Sequence, residues 1–227
     1  MRVVGVDGCR GGWVAVALDE GVHTVHAKVF AHFIDILDAY PDAGAIAVDM
    51  PMGLWQSGRA RMRPCDAEAR KRLGNRASSI FIPPTREMLH ASDYAPLREQ
   101  GLSVQAYHLM PRIRELDALM TPELQTRVWE SHPELSFMAI TGAPIADPKR
   151  TAPGQLARIE ALQRALHLDY ETLNALWEAC LPTARRDDLL DACALVWSAL
   201  RHTQGQSEVC IGEPTHDERG LLMAIRY

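Results

Sequence analysis

The sequence lacks the features that mark several classes of protein. Its five cysteines include no C-x-x-C pair, and its nine histidines show no H-x-x-x-H spacing, so the sequence indicates no zinc site. No apolar run approaches the length of a membrane span. The chain also opens on a predicted strand, whereas a signal peptide opens on a charged and then an apolar region. We therefore expect a soluble, cytoplasmic protein in a reducing compartment, without a membrane partner.

The chain also lacks a net positive charge. Its formal net charge of −5 argues against a protein that coats nucleic acid non-specifically. The charge is uneven, because 11 Lys/Arg oppose 5 Asp/Glu between Arg59 and Arg114 (net +6), whereas 13 oppose 24 in the rest (net −11). A basic middle would suit an anionic substrate. The alternative interpretation is an arginine-rich helical surface that is simply solvated.

Length and composition indicate an ordinary globular chain. With 227 residues, 47% of them hydrophobic and 23% charged, the chain can bury a sizeable core as one large domain. We find no internal repeat, low-complexity tract or linker. We predict a single domain over residues 1–227 with a basic, mainly helical insertion at about 55–122.

The order of the predicted elements indicates a mixed α/β fold. Residues 3–7, 12–18 and about 22–29 predict three antiparallel strands with short glycine-containing links. A helical period over 31–40 is followed by a fourth strand at 45–49, which a right-handed crossover makes parallel to the first. A fifth strand precedes Glu130, and a last strand is predicted over 220–227. Amphipathic helices are predicted over 155–167, 171–180 and 185–200.

Acidic residues stand where these strands end. Asp7 ends the first strand and Asp49 ends the fourth, so parallel pairing would place the two carboxylates side by side. Neighbouring carboxylates raise one another's pKa unless a cation lies between them. Either aspartate alone is explained by a turn that it caps, but the pair favours a site. We expect Glu130 at the same edge of the sheet, with His132 and Glu134 as weaker candidates.

The predicted helix over 185–200 carries three more acids. Asp188 and Asp191 are three residues apart on a face that is itself partly apolar, as in the wall of a buried cleft. Stabilisation of the helix start explains Asp187 and Asp188. It does not explain Asp191, which lies a full turn further along.

The loop over residues 75–84 mixes hydrogen-bond donors with apolar residues. Arg76, Ser78 and Ser79 could bind a phosphate oxygen. They could equally cap a short helix over 85–90, and the sequence leaves both interpretations open.

This order of strands and acids resembles the ribonuclease H-like fold, whose members gather carboxylates around divalent ions to hydrolyse phosphodiesters. The D-x-x-D-A motif at 188–192 resembles the last helix of Holliday-junction resolvases of the RuvC type. Five motifs, spread nearly from end to end, resemble those of an uncharacterised family described as predicted RNase H-like nucleases. They are G-V-D-G-C-R-G-G-W (5–13), V-D-M-P-M-G-L (48–54), C-D-x-x-A-R…L-G-x-R-x-S-S-x-F-x-P-P (65–84), E-x-H-P-E-x-S-F (130–137) and D-D-x-L-D-A (187–192).

The resemblance implies sheet order 3-2-1-4-5, helices on both faces and a metal-dependent phosphodiester hydrolase. Its substrate would be nucleic acid or a nucleotide-like phosphate ester, and its cofactor Mg²⁺ or Mn²⁺, which prefer oxygen ligands. The catalytic, metal-binding residues would be Asp7, Asp49, Asp188 and Asp191, with Glu130 as a fifth. The substrate-binding residues would be Arg10, Arg59, Arg63, Arg72, Arg76, Ser78, Ser79, His132 and Lys149.

Two other functions stay open. The Asp-Gly turn near the N-terminus suggests a nucleotide phosphotransferase of the actin and sugar-kinase fold, but that fold needs two such halves around a cleft. A binding protein could also keep the fold without catalysis, as a monomer or an oligomer. Metal binding would favour the hydrolase over the binding protein, and tight ATP binding without hydrolysis of nucleic acid would favour the phosphotransferase.

Overall fold

The main sheet has five strands in the order β3-β2-β1-β4-β5. A computed structural model of the chain describes residues 1–22 and 24–227. The strands are β1 (Arg2–Cys9), β2 (Gly12–Asp19), β3 (Thr24–Phe30), β4 (Ala43–Val48) and β5 (Val128–Glu130). β2 pairs antiparallel with β1 and β3, whereas β4 pairs parallel with β1 and β5. The predicted strand order and mixed α/β class are confirmed; residue 23, within the third predicted strand, lies outside the described residues.

Helices surround this sheet. They are α1 (Phe33–Ala39), α2 (Pro64–Leu73), α3 (Tyr94–Glu99), α4 (Val104–Leu119), α5 (Pro133–Thr141), α6 (Ala152–Leu166), α7 (Tyr170–Ala179) and α8 (Arg186–Thr203). Short 3-10 turns occur at Gly74–Ser79, Glu87–His90 and Leu124–Thr126. A search of the described residues finds no helix with the length and apolar character needed to cross a membrane.

Side-chain alternation divides the sheet into two apolar faces. Val4 and Val6 of β1 lie on one face, in a cluster with Phe33 of α1 and Ile113 of α4. Val3 lies on the opposite face, in a cluster with residues of α6, α7 and α8. Because successive strand residues point to opposite faces, a shift of one residue along a strand moves a side chain to the other cluster.

The backbone of α8 packs directly on β1 at Gly5. A Cβ on Gly5 would overlap the carbonyl oxygen of Ala192 and the backbone nitrogen of Val196. Only glycine permits this approach. It brings the first turns of α8, which carry Asp188 and Asp191, beside the carboxyl end of β1.

Two elements differ from the sequence-based expectation. Helix α5 was not predicted; it begins at Pro133, a residue suited to the first helical position, and ends at Thr141, just before Gly142, which adopts the left-handed conformation. The strand predicted over 220–227 is limited to β7 (Ile225–Arg226), which pairs antiparallel with β6 (Val209–Cys210). The residues before β7 instead form turns and an isolated bridge between His216 and Leu222.

Candidate functional site

A cavity of about 450 Å³ opens at the carboxyl ends of β1 and β4. Four of the five predicted acids line it, and they come from three separate elements. Asp7 lies near the end of β1, Asp49 follows β4, and Asp188 and Asp191 lie in the first two turns of α8. Asp7 and Asp191 are buried, whereas Asp49 and Asp188 are partly exposed.

Burial and mutual repulsion make these acids hard to ionise. Burial, together with the carboxylates of Asp49 and Asp191, raises the pKa of Asp7 well above its usual value. Burial raises the pKa of Asp191 to about 7, although Lys149 opposes that rise. It also raises the pKa of both Asp49 and Asp188. The cavity therefore favours either protons or a cation beside these carboxylates.

Lys149 supplies one positive charge to the cluster. Its ammonium lies 2.5 Å from a carboxylate oxygen of Asp191, and its side chain is 35% exposed to solvent. Burial acts to lower the pKa of Lys149, but Asp191 and Asp7 outweigh it, so the pKa is raised. The ammonium also opposes the rise in the pKa of Asp49 and Asp188. Lys149 is thus a resident cation of this cavity.

The donor set suits a hard divalent cation, because carboxylate oxygens are the ligands that Mg²⁺ and Mn²⁺ prefer. Carboxylates whose pKa is raised by burial and by neighbouring carboxylates are also sites where a cation would lower the free energy. Within residues 1–22 and 24–227, however, no group of three or more His, Cys, Asp or Glu is arranged so that it could hold a metal ion. The four carboxylates share a cavity without converging on one coordination position.

Glu130 does not lie in this cavity. Its carboxylate accepts hydrogen bonds from both terminal nitrogens of Arg63, at 2.7 and 2.6 Å, and from the backbone nitrogen of Met52 at 2.8 Å. Arg63, only 1% exposed, also donates to Asp66. The expectation that Glu130 is a fifth acid of the cluster is corrected, because it forms a buried ion pair. The expectation that Arg63 binds substrate phosphate is corrected for the same reason.

The strand register explains the position of Glu130. Val6, Val48 and Glu130 lie level with one another on β1, β4 and β5. Asp7 and Asp49 come one residue later along the chain, so their side chains leave the sheet on the other side. Glu130 therefore shares the face of Val6 and Val48.

The residues predicted to bind phosphate separate into two groups. Five of them line the cavity: Arg76, Ser78, Ser79, His132 and Lys149. Arg10 and Arg59 are exposed elsewhere. Arg72 also lies outside the cavity, where its guanidinium donates to Glu68 and to the Tyr227 hydroxyl. These contacts engage Arg72 within the protein, and its expected role in substrate binding stays a prediction.

Glu134 anchors a network that sequence reasoning found only in part. Its carboxylate lines the cavity and accepts from Arg76 at 3.0 Å and from the buried Arg158 at 2.6 Å. Burial acts to raise the pKa of Glu134, but Arg158 and Arg76 outweigh it, so the pKa is lowered. Arg158 looked like an ordinary residue of an amphipathic helix, and no motif marked it. His132 caps α5 by accepting from the backbone nitrogen of Glu134.

Further cavity residues were not among the predicted site residues. Arg150 lines the cavity and pairs with Asp187 at 3.3 Å. The segment at about 55–122 contributes apolar and amide side chains to the cavity wall: Phe81, Gln105 and Leu109. They surround the acids with donors and an apolar surface, the usual composition of a small-molecule site.

Comparison with known proteins gives a family and no activity. No curated protein and no solved structure matches the chain. A family model described as "Protein of unknown function (DUF429)" matches residues 5–216, a range that contains all five motifs noted in the sequence. The chain therefore belongs to the DUF429 family of proteins of unknown function.

Proposed function

We propose that this protein is a divalent-metal-dependent phosphodiester hydrolase of ribonuclease H-like type, acting on nucleic acid or a nucleotide-like phosphate ester. One observation carries the proposal: Asp7, Asp49, Asp188 and Asp191 come from three elements and line one cavity. Buried structural carboxylates are normally paired directly with cations, as Glu130 and Asp66 are with Arg63. In the cavity, four acids share the charge of Lys149, with Arg150 also on its wall and paired to Asp187.

The topology supports the same proposal. The sheet order β3-β2-β1-β4-β5, with acids at the ends of the two central parallel strands and on the helix that packs on β1, is the arrangement that the resemblance implies. Fold alone does not assign an activity. The proposal therefore depends on the carboxylates and on their positions.

The chain's own groups have separate tasks in this proposal. The four aspartates would hold Mg²⁺ or Mn²⁺ once their carboxylates turn toward one position, and such ions, when bound, lower the pKa of a water and polarise a phosphoryl oxygen. Lys149 and Arg150 lie on the wall of the same cavity and would receive the negative charge of the substrate. The exposed hydroxyl of Ser78 would donate a hydrogen bond to a phosphate oxygen.

The distribution of cations favours a substrate with its charge on one or two phosphates. Much of the excess charge between Arg59 and Arg114 is used inside the molecule. Arg86 pairs with Asp117 and Asp217, and Arg112 donates to backbone carbonyls near the end of β1. Within the described part of this segment, Arg76 is the cation that lines the cavity, and it is paired with Glu134. A nucleotide-like ester or the end of a nucleic acid fits this pattern better than a long duplex.

The test is a panel of labelled DNA, RNA and small phosphate esters incubated with Mg²⁺ or Mn²⁺. We expect hydrolysis of at least one class, lost in Asp7→Asn. The matched control is Asp187→Asn, because Asp187 is also a buried acid of α8 but does not line the cavity. Hydrolysis that persists in Asp7→Asn, or binding of metal and phosphate without turnover of any substrate, would count against the proposal.

A further inference from the structure

We propose that a second cavity, about 180 Å³ in volume and lined by Arg226 and Trp129, binds a small carboxylate. This cavity lies between the segment that leads into β5 and the residues of β7, and Thr126 and Ala224 also line it. It shares no lining residue with the cavity that holds the four aspartates. Binding here is therefore independent of the proposed function.

The first argument is that Arg226 lacks the partners that comparable arginines have. Within residues 1–22 and 24–227, every other buried or partly buried arginine donates a side-chain hydrogen bond to an oxygen of the protein. Arg226 is partly buried, yet it forms neither a side-chain hydrogen bond nor an ion pair with those residues. Burial lowers the pKa of Arg226. Because a guanidinium stays charged at neutral pH, its five N–H donors are left for a ligand.

The second argument is an unpaired donor on the same cavity. Trp129 is only 2% exposed, and its indole N–H has no acceptor in the described part of the chain. A buried donor without an acceptor is unfavourable, so such groups are rare in folded proteins. Arg226 and Trp129 both lack acceptors and neither lacks donors. An anionic oxygen is the group that would supply what both are missing.

The third argument is the uncompensated charge around the cavity. No Asp or Glu lines it. Glu208 borders β6, the partner strand of β7, but its carboxylate lies 3.6 Å from Arg72 and 4.0 Å from Arg201. Burial and the charge of Arg226 lower the pKa of His202, whose ring lies against Trp129 with 4.2 Å between the ring centroids. The charge of Arg226 is thus felt by its neighbours and would favour an anion.

Size and charge select the class of anion. The planar fork of a guanidinium matches the two oxygens of a carboxylate. One carboxylate balances one guanidinium, whereas a phosphate group brings up to two negative charges at neutral pH. Pro122, Leu222 and Ala224 line the cavity and give an apolar surface for a short hydrocarbon part. The volume is below the roughly 300–1,000 Å³ of pockets for drug-sized ligands, so we expect a carboxylate of a few carbons.

The experiment follows the indole N–H signals of the ¹⁵N-labelled protein by NMR while butyrate is added. The signal of Trp129 is assigned by its loss in Trp129→Phe, and we expect it to shift and saturate. Trp177 is the internal control, because its indole N–H also lacks an acceptor among the described residues but does not line this cavity. Its signal should stay in place. Butyramide, which has the same shape without the charge, should give no saturable shift.

Variants identify the group that binds. We expect Arg226→Gln to bind butyrate at least about tenfold more weakly, because it lacks the charge-assisted hydrogen bonds. Arg226→Lys, which lacks the fork, should also bind about tenfold more weakly and serves if Arg226→Gln does not fold. Arg98→Gln is the matched control, because Arg98 is exposed and does not line the cavity.

Three outcomes would overturn the proposal. The first is a Trp129 signal that does not saturate with butyrate, and the second is equal butyrate affinity in wild type and Arg226→Gln. The third is tighter binding of inorganic phosphate than of butyrate at the Trp129 signal, which would contradict the assignment of a carboxylate. None of these outcomes bears on hydrolysis at the four aspartates, because the two cavities have no residue in common.

Discussion

Gly5 of β1 and Ala192 of α8 touch through their backbones, without a side chain between them. The contact sets the height of α8 above the sheet, and it therefore sets where Asp191, the residue before Ala192, stands relative to Asp7. The candidate site depends on this packing as much as on its acids.

We expect Gly5→Ala to destabilise the protein by about 2–3 kcal/mol, at the upper end of what overpacking usually does. The added methyl group would meet the backbone of α8, which cannot rotate away as a side chain could. Urea denaturation measures the change. Gly21→Ala is the control, because nothing lies within 4 Å of a Cβ there, and it should stay within about 0.5 kcal/mol of wild type. Equal stability of the two variants would show that α8 does not press on β1.

Asp49→Asn tests the crowding of the acids. In EDTA we expect it to raise the melting temperature, because it removes one of several carboxylates that repel one another. In Mn²⁺ we expect the order to reverse. Wild type should gain about 2.7 kcal/mol at a metal concentration one hundred times the Kd, and the variant should gain less. Thermal unfolding with and without Mn²⁺ measures both effects. A wild-type melting temperature that does not change when Mn²⁺ is added would argue against a metal site.

Glu130→Ala separates the buried ion pair from the cavity. We expect a loss of about 3–5 kcal/mol in unfolding free energy, because Arg63 would keep a buried charge with one partner fewer. Mn²⁺ affinity, measured under conditions where the variant is folded, should not change. A weakened metal affinity with little loss of stability would return Glu130 to the list of ligands.

The sequence was sufficient to predict that Asp7 and Asp49 lie together, because both follow apolar strands and parallel strands end at the same edge. It was insufficient for Glu130, because the face on which that side chain leaves the sheet depends on register, and a shift of one residue reverses it. The four-strand order could be reasoned out from hydrophobic period and crossover rules. The register of the fifth strand against the fourth could not be predicted in this way.

Long-range pairs were also beyond the sequence. Lys149 and Asp191 are 42 residues apart, and Arg158 and Glu134 are 24 apart on different helices. No local pattern encodes such pairs, since they arise only when the helices pack. The sequence shows the excess of positive charge between Arg59 and Arg114, but it does not show which groups these arginines contact. Most of the arginines that we can trace, such as Arg63 and Arg86, are paired with acids or backbone carbonyls within the protein.

The pH dependence of stability tests whether Asp191 is protonated in the folded state. Its pKa is about 7 when folded and near 3.8 in a free chain, so the folded state binds more protons between those values. The stability that Asp191 contributes is therefore fully present below about pH 4 and is lost as pH rises through 7. In EDTA, wild type should lose stability relative to Asp191→Asn across this window. Urea denaturation of both proteins at several pH values measures the difference.

The alternative case gives a different profile. If Lys149 keeps Asp191 ionised throughout, the stability that the carboxylate contributes is fully present above about pH 4, and the difference between the two proteins would stay constant from pH 4 to 7. Lys149→Met decides between the two cases. Without the ammonium, nothing on the cavity wall opposes burial at Asp191 as strongly, so we expect the loss of stability toward pH 7 to steepen. A pH profile unchanged by Lys149→Met would mean that the ammonium and Asp191 do not interact in solution.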